Sequence, residues 1–269
     1  MIGIDVASWQ GDIRPSELKR DGKKLDFCIS KATEGTDYVN PCCDGIIQEC
    51  ISHDIQFGYY HYALNLNARQ EARFFWNNTL GYAGNGIPCL DYEEWGKISN
   101  SVGWCETFLE EYKQISGIYP MLYISASHCE DFAGSWIPRK CGLWVAGYPQ
   151  DYDNWPTMSD MPYDVHPWEF AAIWQFASDW RMSGYDGDLD ANTANMVKGS
   201  WMLYAGSKDI FQTPTPNEMK SCTELADEVL QGKWGNGWNR KNALDAAYGT
   251  GTYDHVQAIV NMKLGLDGC

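Results

Sequence analysis

The sequence predicts an α/β fold: an irregular (β/α) barrel of about eight strands with fewer helices than strands, followed by a small C-terminal three-helix module. Short apolar runs alternate with helix-period segments over the first ~200 residues, the pattern of a parallel sheet joined by crossover helices. The later runs succeed one another with little helix between them, which makes the barrel irregular rather than fully eightfold. After Tyr204 the composition shifts to Pro, Thr and Gly, and the remainder of the chain has helical periodicity only.

In chain order, β-branched and aromatic residues bounded by turn residues place strands at Ile2–Val6, Phe27–Ser30, Phe57–Tyr62, Ile87–Tyr92, Met121–Ser125, Leu143–Ala146 and Ala172–Phe176, with a last one near Gly187–Asp190. Helices are expected over Pro41–His53, Ala68–Thr79, Val102–Ser116 and Ala126–Phe132. The barrel domain is assigned to residues 1–205 and a linker stiffened by Pro214 and Pro216 to 206–218. A helical module occupies 219–269, with helices near Glu224–Gln231, Arg240–Tyr248 and Tyr253–Leu264 and turns at Gly232, Gly235, Gly237, Gly249 and Gly251.

Composition narrows the partners. A formal charge of −16, most of it before Glu218, provides no basic footprint for nucleic acid or an anionic membrane surface. No run approaches the ~20 apolar residues of a membrane span. Thirteen Trp and 16 Tyr supply flat faces of the kind that stack on sugar rings. The 10 Cys are scattered, with Cys42 beside Cys43 and Cys28 and Cys89 in apolar runs, so they read as reduced, buried thiols. Neither paired Cys-x-x-Cys nor His-Glu-x-x-His spacing occurs, and neither metal nor cofactor is expected. Asp186–Val197 imitates a calcium loop but has Ala191 at its sixth position and Val197 at its twelfth, where Gly and Glu are needed. The segment Met1-Ile2-Gly3-Ile4-Asp5 enters a strand at once, without a basic leader or an apolar signal core, so cytoplasmic synthesis without a signal peptide is expected.

Leu90-Asp91-Tyr92-Glu93 carries the most chemical information. Two carboxylates two residues apart on a strand face the same way, and their repulsion lets one hold a proton while the other stays ionised. By itself such a pair is common on solvated strand edges. Barrel sites are built at the C-terminal ends of strands, and Asp5, Asp91, Glu93 and Asp190 all fall there. Tyr60, Tyr62, Tyr123, Trp144, Tyr148 and Gln175 occupy comparable positions, either lining a sugar groove or packing the barrel.

The segments Ile2–Gly11, Phe27–Gly35, Gly58–Tyr62, Leu90–Glu93 and Trp174–Phe176, with Asp188-Leu189-Asp190 after them, resemble in order the signatures of family-25 glycoside hydrolases, the lysozymes common in phage lysins and bacteria. The resemblance covers about residues 1–205; Cys28 and Ser30 depart from it where apolar residues are usual. It implies retaining hydrolysis of the β-1,4 bond between N-acetylmuramic acid and N-acetylglucosamine. Glu93 is then the general acid, and Asp91 is either the nucleophile or the stabiliser of an acetamido-derived intermediate. Asp5 and Asp190 become the further acids that bind substrate and tune this pair.

Leu225–Gly237 and Tyr253–Asn261 resemble the type-7 cell-wall-binding repeat of phage lysins, which implies peptidoglycan contacts around Lys233, Trp234 and Arg240. A single copy ties firm wall retention to oligomerisation through this module. The combined expectation is an endolysin acting on bacterial peptidoglycan after holin-type release or lysis. The competing readings are a non-catalytic peptidoglycan-binding protein and a chitinase-like glycosidase.

Overall fold

The computed structural model describes residues 1–11, 13–207, 220–234, 240, 241, 244, 248 and 252–264. The chain divides into two compact units, Met1–Ser207 and Lys208–Cys269.

The first unit is a closed barrel of eight strands: β1 (Ile2–Val6), β2 (Phe27–Glu34), β3 (Gln56–Tyr62), β4 (Ile87–Asp91), β5 (Met121–Ser125), β6 (Leu143–Ala146), β7 (Ile173–Trp180) and β8 (Leu189–Ala194). A two-residue strand, Tyr38–Val39, adds to β2. Strands β1 to β7 run parallel from neighbour to neighbour, and β1 pairs with β2. Strand β8 runs antiparallel to both β7 and β1, closing the barrel.

The expected last strand near Gly187–Asp190 is therefore displaced and inverted. Asp190 lies at the start of β8, not at its end. Because β8 alone is reversed, its start shares the mouth with the ends of the other strands, and Asp190 sits opposite Asp5. The bulges at Gln175–Ala177 and Ala177–Trp180 curve β7 so that this hairpin follows the barrel wall.

The helices are α1 (Cys43–Ser52), α2 (Ala68–Thr79), α3 (Ser101–Ser116) and α4 (Lys198–Tyr204). Asn67 and Asn100 cap α2 and α3 by accepting from the Gln70 and Gly103 amides, and Gly117 ends α3 in the left-handed conformation. The helix expected over Ala126–Phe132 is instead two 3-10 turns, Ala126–His128 and Glu130–Phe132. A run this short forms too few i→i−4 bonds to offset helix nucleation.

Alternation along each strand separates two cores. Outward residues such as Ile4, Tyr59, Leu90, Leu122 and Val145 pack beneath the helices with Ile46, Phe75 and Phe108. Inward residues Phe27, Ile29, Tyr60, Cys89, Tyr123 and Trp144 fill the barrel, and Trp201 of α4 plugs its floor. At Gly3 a Cβ would lie 2.5 Å from the Phe27 ring, so only glycine admits that floor packing. Cys28 and Ser30 point outward, so their departure from an apolar pattern affects packing beneath α1 and not the mouth.

In the second unit, α5 (Cys222–Leu230) is opened by a Ser221/Glu224 capping box and packs against α6 (Thr252–Leu264) around Leu225, Val229, Leu244, Val256 and Val260. Arg240, Lys241, Leu244 and Tyr248 are helical. Residues 208–218 of the linker expected at 206–218 and the turns at Gly235, Gly237, Gly249 and Gly251 lie outside the described residues. Nine cysteines among the described residues are free. Among those residues no helix is long and apolar enough to cross a membrane.

Candidate active site

Asp5, Asp91, Glu93 and Asp190 come together at one mouth of the barrel, close enough for each to perturb another. Strand β4 ends at Asp91, so Glu93 stands just beyond the strand and not on it. Asp91 is 6 % exposed while Glu93 faces solvent, yet the two carboxyl groups are hydrogen-bonded. A loop clamp fixes this geometry: Asn65, with φ +57°, donates to the Glu94 carbonyl at 2.8 Å and accepts from the Tyr92 hydroxyl at 2.7 Å. Asn tolerates that left-handed backbone better than most residues do. The neighbouring Leu64 and Leu66 amides are held by buried Glu71, itself bonded to His61.

Asp5 sits at the centre of a polar network inside the barrel. Its Oδ1 accepts from Gln175 Nε2 at 2.8 Å and from Asn192 Nδ2 at 2.6 Å. The Tyr123 and Tyr148 hydroxyls donate to Gln175 Oε1 at 2.8 and 2.6 Å, turning its amide nitrogen toward Asp5. The Trp144 indole does the same for Asn192 by donating to its Oδ1 at 2.7 Å. The network thus fixes Asp5 from two sides.

These contacts sort the expected groove residues. Tyr148 and Tyr123 line a groove of about 370 Å³ beside Glu93, together with Trp95, His128 and Ser127. Tyr62 is half-buried and donates to Glu94 at 3.1 Å, with Lys31 Nζ 4.6 Å from its ring centre. Trp144, Gln175 and Tyr60 are 1, 2 and 8 % exposed and do not line that groove, although Tyr60 lies close enough to Asp91, Asp5, Asp190 and Glu93 for their charges to raise its pKa. A side chain of either face fits strand-end spacing, and the inward rotation buries these three.

Sequence reasoning misses several mouth residues. Asn192 lies within the false calcium loop, although its spacing of two from Asp190 places both on one face. Lys31 approaches Glu34 as an ion pair and favours the ionised forms of both Asp91 and Glu93. Trp9, in the 3-10 turn Ser8–Gln10 that follows β1, is 89 % exposed. An indole this exposed is unusual enough to be a signal in its own right.

Burial raises the pKa of all four acids, and neighbouring carboxylates add to it. Asp5 is pushed well up by burial and then by Asp190, against the opposing bonds from Asn192 and Gln175. Asp91 is pushed well up by burial and then by Glu93 and Asp5. Asp190 is raised to about 6 by burial and by Glu93. Glu93 is raised by burial and by Glu94, while its bond from Asp91 works the other way. Both members of the Asp91–Glu93 pair are thus pushed toward their protonated forms.

A raised carboxylate has a defined effect on stability. It binds its proton more tightly folded than unfolded, so its stabilisation is complete below the unfolded pKa and is lost as pH rises through the folded value. For Asp190 that window runs from about 4 to about 6. Asp190→Asn is expected to raise the melting temperature at pH 7 by about 3 °C and to flatten its fall between pH 4 and 7, as read by calorimetry.

In the second unit, half-buried Trp234 packs its ring 5.9 Å from Tyr248 and donates to Glu228 at 3.1 Å. Lys233 is exposed, 3.8 Å from Glu228, and Arg240 donates to Gln257 at 2.9 Å. Among the described residues no cluster of three or more potential ligands could hold a metal ion.

Comparison with known proteins gives consistent relatives. The family Glycosyl hydrolases family 25 matches residues 4–185, and the CW_7 repeat matches residues 223–264. Lysozyme M1 of Streptomyces globisporus is 28 % identical over 210 residues, covering 72 % of this chain and 67 % of that protein. The lysozyme of Streptococcus phage Cp-7 is 26 % identical over 258 residues, covering 90 % of this chain. The chain spans only 64 % of that relative's length. The solved bacterial lysozyme from Streptomyces coelicolor superposes with a TM-score of 0.62 at 25 % identity, covering 76 % of this chain and 96 % of that one.

Proposed function

From the premise that the chain belongs to the family-25 glycosyl hydrolases, we propose that it is a muramidase cleaving the β-1,4 bond between N-acetylmuramic acid and N-acetylglucosamine in peptidoglycan. The observation that carries this reading is the meeting of Asp5, Asp91, Glu93 and Asp190 beside an aromatic-lined groove. Glu93 is the general acid because it is the carboxyl group that lines the groove, whereas Asp91 is buried beneath it. Substrate entry excludes water from Glu93 and raises its proton affinity further, so that it holds a proton facing the leaving oxygen.

Two routes give retention. Asp91 attacks the anomeric carbon directly, or the substrate's acetamido oxygen attacks while Asp91 orients the amide. The raised pKa of Asp91 and its unpartnered, buried Oδ1 favour the second. A carboxyl group poised between ionised and neutral suits accepting an amide N–H better than displacing a leaving group. Asp5 and Asp190 hold the sugar and supply negative charge near the developing oxocarbenium ion.

Release of reducing ends and mass analysis of muropeptides from purified cell walls tests the activity. Binding without new reducing ends would support a non-catalytic wall protein, and activity on chitin oligomers alone would support the chitinase-like reading. Trp9 offers its free face as a sugar platform. Trp9→Ala is expected to lower kcat/KM by about five- to tenfold, almost entirely through KM, because stacking holds ground state and transition state alike.

The CW_7 repeat keeps the hydrolase on its polymer and raises its local concentration, with Lys233, Trp234 and Arg240 at the contact. Synthesis in the bacterial cytoplasm and action after phage-type lysis complete the reading.

A further inference from the structure

A second cavity opens on the far side of Tyr148. Tyr148 lines both this cavity, of about 420 Å³, and the groove beside Glu93. Its hydroxyl is anchored to Gln175 at 2.6 Å, so it is a fixed partition between the two spaces. The new cavity is bounded by the projecting end of β7, from Phe176 to Trp180, by the loop from Gln150 to Tyr152, and by Arg20 and Arg181.

Its charges are arranged in an unusual way for a chain of net charge −16. The Arg20 guanidinium lies 3.6 Å from the Trp180 ring centre and donates to the carbonyls of Asp153 at 2.9 Å and Arg181 at 3.2 Å. Stacking and carbonyl contacts immobilise the cation, and its carboxylate neighbour, exposed Asp21, stands off at 3.9 Å. Arg181 is exposed and steadied by Asp188 at 2.8 Å. The exposed carboxylates of Asp151 and Asp179 border the same space. The cavity therefore presents fixed charges of both signs next to a site for a glycan.

We propose that this cavity recognises the peptide stem carried by the muramic acid unit, its carboxylates on Arg20 and Arg181 and its ammonium group on Asp151 and Asp179. The proposal rests on the muramidase reading and names the part of the substrate that the reading leaves unassigned. With its lactyl carboxyl amidated by the stem, the N-acetylated glycan is uncharged, so further sugars would offer no partner to groups of either sign. A stem peptide bears carboxylates and, at a diamino acid, an ammonium group. Its attachment through the lactyl ether of the sugar places it beside the groove and not along it. The volume falls in the range of sites that enclose a small ligand.

The test compares intact strands with the same strands stripped of stems by an amidase, which leaves a free lactyl carboxylate on each muramic acid. Reducing-end release is measured with the full chain, with R20Q, and with the doubly substituted R181Q/D179N, whose side chains are exposed and whose melting temperature should match the parent. The ratio of intact to stripped rate is expected to fall about two- to threefold for R20Q and about five- to tenfold for R181Q/D179N, because exposed charge contacts each contribute about threefold or less to binding. A free stem peptide is expected to inhibit the unsubstituted enzyme on intact strands in the millimolar range, and R181Q/D179N less. An unchanged ratio with undiminished peptide inhibition would overturn the stem assignment while leaving hydrolysis standing. Failure of the unsubstituted chain to release reducing ends from either substrate would instead remove the muramidase reading and this proposal with it.

Discussion

Glu93→Gln is expected to lower reducing-end release from purified walls by about a thousandfold, with the fold and wall binding retained. The amide keeps the shape and most hydrogen bonds of the carboxyl but has no proton to deliver to the leaving oxygen. Exposed Glu93 contributes little to packing, so the melting temperature should stay close to that of the parent. The pH profile provides a second readout. Partial desolvation by the cleft walls raises the Glu93 pKa against the opposing Asp91 bond, and Glu94 adds to the rise, so activity should persist toward neutral pH and fall as pH climbs through the raised value. That alkaline fall should be absent from the residual rate of the variant. A turbidity-clearance rate near the parent's would remove Glu93 from the role of acid.

Asp91→Asn is expected to cost about a hundred- to a thousandfold in kcat with a smaller change in KM, because the residue acts on the charged transition state more than on bound sugar. Unlike the first variant, it should also stabilise the protein at pH 7. Asp91 is buried, and its elevated pKa means that stability is lost as pH rises through the folded value; a neutral amide escapes that loss. Substrates with progressively fluorinated acetamido groups separate the two retaining routes. Neighbouring-group attack predicts a steep fall in the parent's rate as the acetamido oxygen loses basicity. A flat response would assign the nucleophilic role to the Asp91 carboxylate.

Much of the site is legible in the sequence because its signals are local. Asp91 and Glu93 lie in one short segment at the end of an apolar run, and Asp5 stands two residues after Gly3 in a strand that begins at Ile2. The groove residues are less legible. Trp144 and Tyr148 lie on either side of the end of β6, yet one is sealed into the barrel and the other stands 50 % exposed. Their spacing in the sequence carries no information about which face meets the cleft. Asn192 and Lys31 escape notice for a related reason: each acts on an acid far from it in sequence, Asn192 on Asp5 and Lys31 on Asp91.

The order of apolar runs and helical segments, together with the positions of the acids, was enough by itself to specify a barrel with Asp5 and Asp91 late in their strands and a helical module after it, while the wall-binding reading of that module came from its resemblance to a known repeat. Periodicity is a local consequence of backbone geometry, so one chain read in one direction reveals it. The polarity of β8 was decided only in three dimensions. Closing the barrel antiparallel to both neighbours brings the beginning of that strand to the catalytic mouth and pairs Asp190 with Asp5. The sharing of protons among the four acids was decided there too, because desolvation and charge repulsion depend on distances between segments that the order of residues does not contain.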